Sequence, residues 1–266
     1  MKRFIKLLIP PIILTVFRKT IPNKYGWKGD YSSWQDAQKD AIGYDSDNIL
    51  QAVRKSLLKV KNGDAAYERD SVIFDEIQYS WPLLSGLMFC AAKEKGRLKV
   101  LDFGGSLGST YYQNKKFLDK LDYVSWNVVE QMHFVDAGKK EFEDDQLNFF
   151  SSVEECLKRE SPKILILSSV LQYIEDPYKL LDGILKSEFE YILIDRTPFS
   201  KLNSKIKLQI VSPSVYRASY PCHFFKESNF VKYFENHQYK LLEGFNSFDG
   251  ENNEYEFKGM ILERVS

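Results

Sequence analysis

Asp102, Gly104, Gly105 and Gly108 fall within seven residues, behind the apolar pair Val100-Leu101 and ahead of Ser109-Thr-Tyr-Tyr112. Glycines let a backbone take φ > 0, and without Cβ atoms they let a ligand come close to the chain. About twenty residues on, the apolar run Trp126-Asn-Val-Val129 ends in Glu130, the spacing at which nucleotide-binding α/β folds place a ribose-binding acid. A carboxylate there accepts hydrogen bonds from both ribose hydroxyls, a charge-assisted pair. The chemistry these residues offer is nucleoside binding.

The register of the turn narrows the nucleoside. The dinucleotide fingerprint G-x-G-x-x-G, aligned on Gly105 and Gly108, requires glycine where Phe103 stands. The pattern acidic-x-G-x-G-x-G of loops that bind S-adenosylmethionine (SAM) matches Asp102, Gly104 and Gly108, with Ser106 at its middle glycine. SAM carries no phosphate, so its loop needs close backbone approach and a carboxylate rather than an anion cradle. The alternative for each feature is structural: an ordinary strand-to-helix turn, and a strand-end acid facing water.

Four segments together resemble a bacterial family of SAM-dependent methyltransferases associated with surface-polysaccharide biosynthesis genes. They are Asp102-Phe-Gly-Gly-Ser-Leu-Gly-Ser109, Val128-Val-Glu-Gln131, Ser168-Ser-Val-Leu-Gln-Tyr173 and Ile194-Asp-Arg-Thr-Pro198. The resemblance runs from about Trp27 to the C-terminus and implies a class I methyltransferase fold. It implies a cofactor site of Asp102, Gly104, Gly105, Ser106, Gly108, Glu130 and Gln131. Phe150 and Ser151 fall where the adenine would rest, and Gln172 and Tyr173 near the methionine moiety. It supplies no acceptor.

The elements that must position these residues alternate as α/β units do. Strands are expected over 99–103, 126–129, 147–150, 164–167 and 191–194, with helices over 109–118, 132–142, 152–158 and 177–185. Segments 239–245 and 255–263 flank the polar turn Asp249-Gly-Glu-Asn-Asn253 and read as an antiparallel pair. The expected architecture is an α/β, Rossmann-like class I methyltransferase fold: a mostly parallel seven-stranded sheet with a C-terminal antiparallel hairpin, plus an N-terminal helical cap. Ser32 or Ser33 and Asp47 are candidate caps for helices near Trp34 and Asn48, and Ile73 to Lys93 reads as a further amphipathic stretch. The division expected is an apolar and basic arm over 1–26, a helical cap over 27–96, and a SAM-binding domain over 97–266.

Within that domain a long excursion over about 196–225 reads as a substrate loop, because long loops on rigid scaffolds shape substrate sites. Asp195 is a candidate general base or acceptor ligand, with loop anchoring as its alternative. Arg196, Tyr216, Arg217 and Tyr220 suit a sugar or an anionic acceptor. His223 is the histidine of the loop, with an ordinary pKa suited to proton removal near neutrality; a structural role is its alternative.

The 266 residues hold 37 basic and 37 acidic side chains, so no global field favours nucleic acid. Cys90, Cys156 and Cys222 are odd in number and widely spaced, which suits a reducing cytoplasm and gives neither zinc spacing nor a disulfide framework. Residues 1–17 are basic and then apolar, but Pro10-Pro11 interrupt them and they fall short of the roughly 18 apolar residues of a spanning helix. The arm reads equally as an interfacial anchor at the inner membrane face or as an element packed on the domain or on a second subunit of a homodimer. The expected function is methyl transfer from SAM to an O- or N-nucleophile on a saccharide or its activated precursor, in the cytoplasm, with no metal. An NAD-dependent sugar-modifying oxidoreductase and an inactive methyltransferase-like scaffold are the alternatives.

Overall fold

The computed structural model describes residues 24–43 and 46–265, so the arm lies almost wholly outside them. Strand β1 (Gly26–Tyr31) opens the described chain, followed by α1 (Trp34–Asp40) and α2 (Ser46–Lys61). Ser33 caps α1, its hydroxyl accepting from Asp36 N–H at 3.1 Å. A hairpin of β2 (Tyr67–Arg69) and β3 (Val72–Phe74) then precedes α3 (Trp81–Lys93). The amphipathic stretch expected from Ile73 is therefore strand first and helix only from Trp81, where Pro82 occupies the first turn and its missing N–H has no helical partner to lose.

The central alternation follows: β4 (Arg97–Phe103), α4 (Ser109–Leu118), β5 (Tyr123–Val129), α5 (Met132–Glu141) and β6 (Leu147–Phe150). It continues through α6 (Val153–Arg159), β7 (Ile164–Ser168), α7 (Pro177–Ile184) and β8 (Tyr191–Ser200). The chain closes with β9 (Lys205–Ile210), β10 (Ser219–Lys226), α8 (Glu227–Asn236), β11 (Tyr239–Glu251) and β12 (Tyr255–Arg264).

These strands form one mostly parallel sheet with an antiparallel end. Strands β6, β5, β4, β7 and β8 lie side by side and parallel. Strand β12 then pairs antiparallel with β8, and β11 with β12, the closing hairpin expected from the sequence. The sheet has ten strands rather than seven. Strand β10 joins β8 only at Phe225–Phe199 and Lys226–Ser200, beyond the carboxyl end of β7, and carries β9 and β1 antiparallel behind it. Two expectations change with this. The segment read as a substrate loop over 196–225 is largely strand, and the region read as a helical cap over 27–96 holds three strands beside its three helices.

Alternation along the strands splits the core between the two faces. Val100, Trp126, Val128 and Leu193 pack with α2 to α5, in a layer containing Leu57, Leu87, Tyr111 and Phe134. Leu101, Val129, Leu165, Ile192 and Ile194 pack with α6, α7 and α8 through Cys156, Leu181, Phe230 and Phe234. All three cysteines are free and buried. Strand order reverses between β4 and β7, so a crevice opens at their carboxyl ends, the place where open α/β sheets bind ligands. Among the described residues no helix is long and apolar enough to cross a membrane.

A bulge sets the geometry at the end of β8. Ile194 pairs with Met260 and Thr197 with Lys258, so Asp195 and Arg196 together oppose Gly259. Successive residues on a strand normally point to opposite faces; a bulge re-aims them. A Cβ on Gly259 would stand 2.1 Å from the Phe245 ring and 2.6 Å from the Ile194 carbonyl oxygen. The ring can shift, but the backbone cannot. Gly259→Ala should lower stability by about 3 kcal/mol, near the upper end of what overpacking costs. Urea unfolding would show it, and an unchanged midpoint would contradict this account of the bulge.

Candidate functional site

A cavity of about 1160 Å³ opens over the crevice, larger than the roughly 300–1,000 Å³ usual for small-molecule sites. Its floor is the turn after β4. Gly104 and Gly108 have φ of +72° and +94°, and Ser106 has +56°. A Cβ on Gly104 would stand 2.5 Å from Val170 Cγ2, and one on Gly105 2.5 Å from the Asp102 carboxyl. The first contact packs this turn against the one after β7; the second seats the loop directly over Asp102. Ser106 holds the left-handed conformation that the SAM-loop pattern assigns to glycine, at about 1–2 kcal/mol of strain.

Asp102 is 1% exposed and accepts from Trp126 Nε1 at 3.0 Å. Burial pushes its pKa up to about 7, against the opposing effect of the indole donor. Glu130 follows the end of β5, where its Oε2 accepts from Gln131 N–H at 2.7 Å. Ser106 N–H also bonds this carboxylate, and burial raises its pKa. Glu130 is thus held against the glycine turn. A carboxylate has about four acceptor sites, so capacity for further donors is left.

On the far side of the crevice the β8 bulge brings both Asp195 and Arg196 to the cavity wall. Asp195 is 2% exposed. Its Oδ1 accepts from Ser247 Oγ at 2.6 Å and from Arg196 N–H at 2.8 Å, and burial raises its pKa. Arg196 pairs with Asp249 of β11 at 2.8 Å and with Asp70 of the β2–β3 turn at 2.5 Å. The adjacent acid and base therefore have separate partners, as poor geometry between neighbours requires. Arg196 is also spoken for twice, which removes it as a free anion receptor.

A third wall comes from the added strands. Trp27, Gln209 and Tyr220 stand in register across β1, β9 and β10, and all three line the cavity. Tyr173 donates to Gln209 Oε1 at 2.7 Å and meets Tyr220 edge-on at 5.2 Å. Tyr216, Gln131 and Ser151 also line it.

Several sequence candidates lie elsewhere. Phe150 is buried in the core on the α6–α8 face, one strand pleat away from the cavity. Gln172 is fully buried behind the wall, its Nε2 donating to Ser169 Oγ and the Arg196 carbonyl. Gly108 starts α4 against Leu147 rather than lining the cavity. Arg217 is exposed and outside it. His223 is also outside: its ring stacks on Trp34 at 4.8 Å and Phe225 at 5.7 Å, and its Nε2 bonds the Glu175 carbonyl at 3.1 Å. Burial lowers its pKa. The ring faces and Nε2 of His223 are thus engaged by Trp34, Phe225 and the Glu175 carbonyl.

Sequence reasoning passed over Glu68, Asp70 and Asp249. The first two carry no periodic signal, since Tyr67-Glu-Arg-Asp-Ser-Val-Ile-Phe74 does not alternate; the structure shows the hairpin through Asp70 and Ser71, both with φ > 0 as the centre of a two-residue turn requires.

No family model matches the sequence, and no curated protein matches it. Solved structures do. The N-terminal domain of EvdMO1 with SAH bound is 12% identical, over 80% of this chain and 97% of that one, at a TM-score of 0.51. An S-adenosylmethionine-dependent methyltransferase from Clostridium acetobutylicum is 9% identical over 71% of this chain and 93% of its own, with TM-score 0.46. The glycopeptide N-methyltransferase MtfA complexed with sinefungin is 11% identical over 69% and 87%, also at 0.46. The likeness to the EvdMO1 domain is one of fold: this chain has the architecture of that domain.

Proposed function

We propose that the protein is a SAM-dependent methyltransferase acting on an O- or N-nucleophile of a saccharide. The observation that carries this reading is the turn 104–108, whose glycines leave no room for Cβ atoms, set between buried Asp102 and Glu130 on the cavity floor. SAM supplies an electrophilic methyl group on a sulfonium centre. Glu130 takes the ribose hydroxyls, Gln131 and Ser151 border the adenosine, and Gly104 to Ser106 lie under the amino-acid end. The acceptor sits between β7 and the added strands, against Trp27, Tyr173 and Tyr220. Asp195, whose pKa burial raises, receives the proton that the acceptor gives up. Alignment in such a site removes roughly 7–11 kcal/mol of barrier, so little covalent chemistry is asked of the protein.

The charge balance of the wall favours SAM over a dinucleotide and a neutral or amine-bearing sugar over a phosphorylated one. Seven carboxyl groups and two arginines line the cavity, with no lysine and no histidine among the described residues. Arg196 is committed to Asp70 and Asp249, and the Arg69 guanidinium lies over Phe74. A diphosphate would meet seven carboxyl groups and, among the described residues, only the Arg69 guanidinium outside an ion pair.

Asp102 and Glu68, each raised to about 7, bind more protons folded than unfolded, where such groups titrate near 4. Stability of the ligand-free protein should therefore fall as pH rises from about 4 to about 7 through these two groups. Asp102→Asn should flatten that fall, gaining in melting temperature at pH 8 relative to pH 5 in scanning calorimetry. An unchanged pH profile would rule out the buried acid as its source.

The cofactor reading is tested on Glu130. Hydrogen bonds to a charged group contribute about 1.5–3 kcal/mol, and about 1.4 kcal/mol is tenfold. Glu130→Ala should weaken SAM at least tenfold in calorimetric titration, with Glu130→Gln between it and wild type. If wild type binds NAD and not SAM, or if Glu130→Ala binds SAM as wild type does, the reading fails.

A further inference from the structure

Glu68 is a cavity-lining carboxyl that is 1% exposed. Ser109 Oγ donates to its Oε1, and Ser71 N–H donates to its Oε2 at 3.1 Å. Both partners are neutral. The nearby guanidinium, Arg196, spends its donors on Asp70 and Asp249, and among the described residues none is ion-paired with Glu68. A buried carboxylate without a cation is costly, and burial raises this one to about 7. A second observation points the same way. Ser71, whose N–H bonds Glu68, also lines the cavity, and its Oγ is buried and without a partner.

The position of Glu68 says which ligand group it meets. Ser109 follows the glycine turn directly, so its bond to Glu68 sets β2 over the start of α4. Two residues on, Asp70 reaches Arg196 at the β8 bulge. The hairpin therefore spans from β4 toward β8, on the side of the crevice away from β5 and Glu130. A nucleoside anchored at Glu130 runs its other end beneath that hairpin. For SAM that end is an amino acid, whose ammonium brings a positive charge and three donors.

We propose that Glu68, with Ser71 Oγ, receives the α-ammonium group of the cofactor, an inference that rests on the SAM reading above. The acid is the charge partner, and the vacant hydroxyl is a further acceptor. The hairpin thereby becomes part of the cofactor site rather than a cover over it.

The test uses the full chain and two probes that differ in one group, S-adenosylhomocysteine (SAH) and its deamino analogue. Wild type should prefer SAH at least tenfold by calorimetric titration. In Glu68→Gln, which keeps the shape and hydrogen-bonding reach of the protonated acid, SAH should weaken about tenfold and the deamino analogue by less than twofold. Glu68→Asp keeps the charge but withdraws it by one methylene, and should shrink the preference severalfold; it serves if the first variant does not fold. A purely structural role would weaken both probes alike. An equal loss on both, or an unchanged preference in either folded variant, overturns the proposal. Binding of neither probe by wild type would instead bring down the SAM reading on which it stands.

Discussion

The ion-paired Arg196 is the constraint on which the cavity depends. Its guanidinium ties the β2–β3 hairpin, which lies outside the main sheet, through Asp70 to the bulge of β8, and holds that bulge to the end of β11 through Asp249. The two pairs are unequal. Asp249 is 18% exposed and Asp70 58%, so the second is a surface pair, worth up to about 1 kcal/mol, and the first carries more of the energy. Removing Asp249 would leave a largely buried cation with one solvated partner. The pair at Asp70 sets position more than stability, holding the hairpin across the crevice.

That arrangement explains the electrostatics of the site. A cation in a ligand cavity usually reads as an anion receptor, but this one is neutralised before any ligand arrives. Glu68, Asp102 and Asp195 remain, each at most 2% exposed and each raised in pKa by burial. The cavity is an acidic enclosure with aromatic rings on one side. It suits a ligand that brings positive charge and hydroxyl donors, which links the proposed cofactor, the proposed neutral or amine-bearing sugar and the role assigned to Glu68.

What was legible in the sequence was what is encoded locally. The turn at 104–108 announces itself because left-handed φ values select glycine, and the acid ending β5 because strand length and spacing are short-range properties. Helix α4 was read to its ends for the same reason. The three added strands were not legible. Their residues, such as Trp27, Gln209 and Tyr220, gain meaning only when β10 finds the upper edge of β8, a tertiary event. Glu68 lay in a three-residue strand, too short for periodicity to report. His223 drew attention through its ordinary chemistry, whereas its place was decided by Trp34 and Phe225. Arg196 was read as suited to a sugar or an anionic acceptor, and its charge is cancelled by Asp70 and Asp249, far away in sequence.

The central claim is that the crevice between β5 and β8 holds an adenosyl amino acid. A crystal structure of the full chain grown with SAH tests it most directly. The account predicts the ribose hydroxyls on the Glu130 carboxylate, the adenine toward Ser151 and the amino-acid end over residues 104–106 beneath the β2–β3 hairpin. SAH bound with its ribose away from Glu130, or a crevice left without SAH at saturating concentration, would contradict it.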